Sequence, residues 1–193
     1  MAGPKSREKI REIQSVVAPL FAYQGYHSTS MREIARELGM NQSSLYHYFR
    51  SKEEILFELM NDAVDNALST LKEICAGDLL PQDKLIHILR FYTRYYAGAP
   101  ERLILLVNEQ HSLTPGHRRI LVEKQREYVR IFKDVFEGLK AGHLAKEIPQ
   151  GVAIFAFLGM VHYTITWYRK DGPVDLDGLA DIFTEIFTRG VLT

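Results

Sequence analysis

Apolar residues recur along most of the chain at the three- and four-residue spacing of an amphipathic helix, and sustained two-residue alternation is nearly absent. The first such stripe, Ile10, Ile13, Val17, Leu20 and Phe21, predicts a helix over Ser6–Gln24, with Gly25 as its stop and Pro19 as a kink near its end. Ser30-Met31-Arg32-Glu33 reads as a capping box, in which hydroxyl and carboxylate each satisfy a free backbone N–H, and opens a second helix that ends at Gly39. Asn41 caps a short third helix that turns Leu45 and Phe49 inward. Ser51 to Glu54 is a second capping box, and it launches a long fourth helix through Ile55, Leu59, Val64, Leu68 and Leu71 as far as the break at Gly77 and Pro81. Five further helices are predicted over Gln82–Ala97, Pro100–His111, Pro115–Lys140, Pro149–Lys170 and Leu176–Arg189. Proline in several first turns, and the pairs Thr114-Pro115 and Asp175-Leu176, mark their starts. The fold class is all-α.

Composition narrows the class without naming a function. Of 193 residues, 46% are hydrophobic and 25% charged, which excludes a disordered or low-complexity chain. The lone cysteine, Cys75, excludes an intrachain disulfide framework and a thiolate zinc site. Met1 to Lys9 is charged without an apolar core, so no signal peptide is expected and the cytoplasm is the default compartment. Net charge is zero, but it is unevenly placed. Residues 1–52 hold eight basic and four acidic groups, a surplus of +4, and the remainder holds 16 basic and 20 acidic groups, or −4. A basic first quarter suits a phosphate-facing surface, although such an asymmetry also arises by chance.

The densest chemical signal lies between Thr29 and Leu59. Two short helices meet at a glycine-containing turn, and the second is too polar to be ordinary core packing, which is helix-turn-helix geometry. With Leu45 and Phe49 inward, Gln42, Ser43, Ser44, Tyr46 and His47 are left outward, where amide, hydroxyl and imidazole atoms can meet base edges. Helix N-termini at Ser30 and Ser51 offer amides to phosphates.

The run Thr29…Ile34-Ala35…Gly39…Leu45-Tyr46-His47-Tyr48-Phe49…Ser51-Lys52-Glu53-Glu54-Ile55-Leu56 resembles the TetR/AcrR family of bacterial transcriptional regulators. The departure is Tyr48, where the family often has histidine. The resemblance implies that Tyr46, Tyr48 and Lys52 grip the DNA backbone with Ser30, and that Gln42, Ser43, Ser44 and His47 read bases. It further implies a helix-turn-helix domain over residues 1–51, and a ligand-binding and dimerisation domain over 52–193. The partners would be double-stranded DNA, a second copy of the chain and a small-molecule effector.

The remaining three quarters lend independent support. Ile148 to Tyr168 holds no charged side chain and is apolar nearly all round, so it is buried on every side or lies in lipid. His162, Tyr163, Thr164 and Thr166 argue against a membrane span. The last helix carries a matching stripe, Leu179, Ile182, Phe183, Ile186 and Phe187, so the last two helices of two subunits are expected to form an isologous four-helix interface. Phe91, Tyr95, Asn108, His111, Tyr128, Phe157, Met160 and Trp167 are candidates to line an effector cavity, alongside Tyr92, Tyr96, Phe132, His162 and Tyr163. Aromatics at helical spacing are first of all core, so each taken singly is read as core ahead of cavity wall. Residues 82–190 also resemble the branch of the family that responds to acyl-CoA thioesters. Arg118, Arg119 and Arg126 are then available to CoA phosphates, or simply face solvent. No resident cofactor or metal is expected: HExxH, a phosphate loop and a nucleophile elbow are all missing, and His111 and His117 are six apart. An enzyme is therefore disfavoured, and the alternative is a DNA-binding regulator controlled by a protein partner or lacking an effector.

Overall fold

The computed structural model describes residues 4–193, with side chains from Arg7 onward, so the first three residues of the segment read against a signal peptide lie outside it. Helix α1, Pro4–Pro19, buries Ile13 and Val17. At Pro19 the missing N–H and the ring's clash with the preceding turn end the ordinary ladder. The chain continues as a wider π-helical turn, Leu20–Gly25, rather than as a kinked α-helix to Gln24. Gly25, at φ +95°, then turns the chain in a region that side-chain-bearing residues rarely adopt.

Helices α2, Met31–Glu37, and α3, Gln42–Tyr48, form the turn unit, with Gly39 at φ +61° between them. Helix α4, Lys52–Ala76, runs unbroken for 25 residues. Ser51 Oγ accepts from the Glu54 N–H at 3.0 Å, but the Glu54 carboxylate bonds the Arg50 N–H, so the second capping box closes one residue early. Helices α5, Pro81–Ala97, and α6, Pro100–Asn108, each begin on a proline. A 3₁₀ turn, Gln110–Ser112, replaces the end of the helix expected to reach His111. Helix α7, Pro115–Ala141, spans 27 residues.

The segment expected as one helix over 149–170 is broken. Helix α8 covers Gln150–His162, and α9 is a single turn, Thr164–Trp167. At the break, Thr164 Oγ1 donates to the Val161 carbonyl at 2.6 Å and Thr166 Oγ1 to that of Tyr163 at 2.7 Å. Helix α10, Leu176–Val191, packs along α5. Its end is held where Ala145 and Leu192 form an isolated bridge. Helices α4 and α7 lie together, and α5 packs against both and against α8. The core is continuous from Ile13 through Leu71 and Phe132 to Phe187. Among the described residues no helix is long and apolar enough to cross a membrane.

Candidate nucleic-acid interface and cavity

The turn unit is built from its caps. Ser30 Oγ accepts from the Glu33 N–H at 3.2 Å, and the Glu33 carboxylate accepts from the Ser30 N–H at 2.7 Å and hydroxyl at 2.8 Å. Those bonds hold the Glu33 carboxyl below its ordinary pKa. Asn41 Oδ1 accepts from the Ser44 N–H at 2.7 Å and the Ser43 hydroxyl at 2.8 Å, so one side chain both starts α3 and fixes the rotamer of a candidate reader. Ile34, Ala35, Leu45 and Phe49 are buried beneath. Gln42, Ser43, Tyr46 and His47 are exposed on α3, Ser44 and Tyr48 are half-buried, and Ser30 is exposed at the start of α2. The His47 ring meets Tyr48 edge-on, with centroids 5.5 Å apart.

Lys52 is placed differently from the other seven. Its ammonium donates to the carbonyls of Tyr26 at 2.6 Å, Thr29 at 2.8 Å and His27 at 3.4 Å, and sits 4.2 Å from the Tyr26 ring centre. Burial lowers its pKa. In this conformation its three N–H groups hold the turn before α2, and none is left to reach a phosphate.

A cavity of about 220 Å³ lies among α4 to α8. Val64, Leu103, Leu106, Val107, Val129, Phe155 and Leu158 wall it, with Tyr92, Tyr96, Gln125, Tyr128 and His162 supplying polar atoms. Tyr92 Oη and His162 Nε2 share a hydrogen bond at 2.7 Å. Burial lowers the His162 pKa below its ordinary value, so the imidazole is neutral at pH 7. Burial likewise pushes the Tyr92 and Tyr128 phenols up. The Tyr128 hydroxyl is buried with no hydrogen-bond partner. Such a group is costly unless something else satisfies it.

Of the thirteen residues named as cavity candidates, the structure puts Tyr92, Tyr96, Tyr128 and His162 in its wall, Tyr128 alone among the first eight. Phe157 is wholly buried in the core, and Met160 packs against that core. Tyr95 donates to the Ala63 carbonyl at 3.0 Å and, with Phe91, lines a separate open depression beside Arg90, Arg94 and Arg102. Trp167 is half-exposed against Tyr168 and Phe183. Asn108 points to solvent, and His111 stands at the 3₁₀ turn beside His27 and Glu109. Gln125 and the aliphatic wall carried no sequence signal. His162 did carry one, as a polar residue in the uncharged segment 148–168 and a named cavity candidate.

A groove on the outer side of α7 shares Gln125, Val129 and Phe155 with the cavity wall and is otherwise lined by Val122, Arg126, Arg130 and Lys133. Arg118 and Arg119 line a different depression with Arg126. Three contacts tie the turn unit's neighbourhood to the helices behind it. Tyr23 Oη donates to Glu101 at 3.1 Å, Ser112 Oγ lies 3.1 Å from His27 Nε2, and Glu53 accepts from the Thr114 N–H at 2.8 Å while lying 2.9 Å from His117 Nδ1. Burial alone would raise the Glu53 pKa, but the hydrogen bonds from Thr114 and His117 bring it below the ordinary value.

Comparison with known proteins decides the family. The profile described as "Bacterial regulatory proteins, tetR family" matches residues 18–59, and "Tetracyclin repressor-like, C-terminal domain" matches residues 78–191. The chain belongs to the TetR family. It is 26% identical over 182 residues to the HTH-type transcriptional repressor KstR2 of Rhodococcus jostii, covering 93% of this chain and 89% of the relative. A TetR-family transcriptional regulator from Bordetella parapertussis superposes with a TM-score of 0.83 at 31% identity, covering 92% of this chain and 93% of that one. AibR, solved with isovaleryl coenzyme A and operator DNA, superposes with a TM-score of 0.82 at 27% identity over 92% of this chain and 96% of its own. In this TetR-family member the turn unit falls within the first profile, and the cavity lining falls within the second except for Val64 of α4, which lies between the two.

Proposed function

We propose that this TetR-family chain is a transcriptional repressor that binds a near-palindromic operator as a homodimer and is released by an acyl-CoA thioester. The observation that carries the effector reading is the union of an uncharged cavity with a cationic groove across a shared wall at Gln125, Val129 and Phe155. An acyl chain is apolar with one carbonyl, and the cavity offers apolar walls with a few neutral donors, the Tyr128 hydroxyl among them. The CoA portion is phosphate-rich, and Arg126, Arg130 and Lys133 are the cations it would meet outside. Arg118 and Arg119, anticipated from the sequence, are further off, in the adjoining depression. Isovaleryl coenzyme A bound to AibR supports the same class of ligand.

The reader domain is residues 1–51 and the sensing domain 52–193. Within the reader, Gln42, Ser43, Ser44 and His47 face bases while Ser30, Tyr46 and Tyr48 meet phosphates, and Lys52 shapes the turn beneath them. The dimer forms through α8 and α10, where Val152, Phe155, Ile182 and Ile186 are exposed on a single chain. Phe155 belongs both to that face and to the cavity wall, so a thioester seated there shifts the interface and, through it, the spacing of the two recognition helices.

Selection from a random duplex library tests both halves. The expected consensus is a near-palindrome, bound by the wild type and lost by the Tyr46→Ala/His47→Ala double variant with its helicity intact. Saturating isovaleryl-CoA or a longer acyl-CoA should release it. Recovery of a consensus that no thioester in a chain-length series displaces would leave the DNA reading standing and overturn the effector.

A further inference from the structure

We propose that His27, Glu109 and His111 form a binding site for a divalent transition-metal ion of the zinc class, clamping the reader domain to the sensing domain. The three offer one ligand atom each, all within 4.8 Å of one another. His27 Nε2 lies 3.8 Å from Glu109 Oε2, and the two imidazole centres are 6.3 Å apart. A tetrahedral zinc ion with bonds of about 2.0–2.1 Å spaces its ligand atoms about 3.4 Å apart, so closure needs only small rotations of side chains. Those rotations are open to both histidines, which are exposed, whereas Glu109 is anchored with its side chain only 17% exposed.

The chemistry of the set selects the ion. Two imidazoles and one carboxylate, with solvent at a fourth position, suit zinc and its borderline neighbours and are poor for calcium or magnesium, which prefer all-oxygen shells. Ser112 supplies an outer hydrogen bond: its hydroxyl donates to Glu109 Oε2 at 3.0 Å and lies 3.1 Å from His27 Nε2. Neutral His27 in the tautomer with its proton on Nδ1 presents the Nε2 lone pair to the ion. Lys52 is the nearby opposing charge, held by the carbonyls of Tyr26, His27 and Thr29.

Position gives the site its consequence. His27 sits in the turn leading into α2, whereas Glu109 and His111 follow α6, whose Leu103, Leu106 and Val107 wall the effector cavity. A bound ion therefore stabilises the conformation in which α6 and the turn before α2 are together, by its differential affinity for that conformation. The metal site stands apart from the effector reading, and its influence on operator affinity rests on the DNA reading.

Calorimetric titration of the full chain with zinc chloride tests it. One equivalent per chain is expected in the wild type, with affinity reduced by about tenfold or more in His27→Gln and in His111→Gln, and unchanged in His87→Gln, which alters an exposed imidazole on α5. Unchanged metal-free melting of the variants separates loss of a ligand from loss of fold. Absence of saturable binding, or equal affinity in all four proteins, overturns the site. Zinc should also change operator affinity in the wild type and not in His27→Gln; binding of zinc without that change overturns the clamp while leaving the site.

Discussion

Tyr128 and Tyr92 are both buried phenols in the same cavity wall, and they are not equivalent. Tyr92 has His162 as its partner, and Tyr128 has none. An unsatisfied buried hydroxyl costs about 1–3 kcal/mol, so the free protein bears a penalty that a ligand carbonyl can relieve. Tyr128→Phe should therefore leave the melting temperature of the free protein unchanged or raise it. The same change should weaken thioester binding by about five- to tenfold, roughly the worth of one hydrogen bond. Paired melting and calorimetric measurements check both arms; a destabilised free protein would mean that the hydroxyl is already satisfied by water. Residue by residue, this distinction was not legible beforehand. Helical spacing tells which way Tyr128 and Phe157 face, but both face inward, and only the mutual placement of five helices makes one a wall and the other core. Lys52 shows the same limit, since its carbonyl partners come from a turn more than twenty residues earlier.

At the scale of elements, α3 is seven residues long, too short to hold together alone. Its order comes from Leu45 beneath and Asn41 at its start, and Asn41 bonds both the Ser44 N–H and the Ser43 hydroxyl. Asn41→Ala should cost about 1 kcal/mol of stability, the usual worth of an N-cap. It should also weaken operator binding, because Ser43 loses its fixed rotamer. Gln42→Ala, on the exposed side of the same helix, should weaken binding with stability changed by no more than about 0.5 kcal/mol. Chemical denaturation and fluorescence anisotropy on the selected operator separate the two. Caps of this kind were readable from sequence because each joins residues three apart: Ser30 with Glu33, Asn41 with Ser44, Asp175 with Gly178. The break between α8 and α9 was not, because threonines whose hydroxyls bond back to their own helix also occur in unbroken helices, at Thr70, Thr93 and Thr188.

For the whole molecule, the question is what covers the apolar side of α8 and α10. Val152 is 64% and Phe155 63% exposed on α8, and Ile186 is 57% exposed on α10, in a chain whose other large apolar groups are mostly inside. A second copy presenting the same patch about a two-fold axis, as proposed above, would satisfy all of them at once. It would also bring together two basic first quarters of +4 each, the charge that zero net charge conceals. Ile186→Glu places two like charges near that axis and should convert the dimer to monomer in sedimentation velocity. Helicity at 25 °C should persist, because the side chain is exposed within its own subunit. Operator affinity should fall by far more than any single reader substitution achieves, since one recognition helix engages one half-site and the benefit of the linked second half-site disappears. Thioester binding to the monomer should continue if the cavity is complete within one chain, as its lining residues are. Linkage between thioester and operator should vanish, because reciprocity between two sites requires the shared dimer equilibrium that both ligands bias. A variant that stays dimeric would move the interface to another face and free Phe155 from its double role.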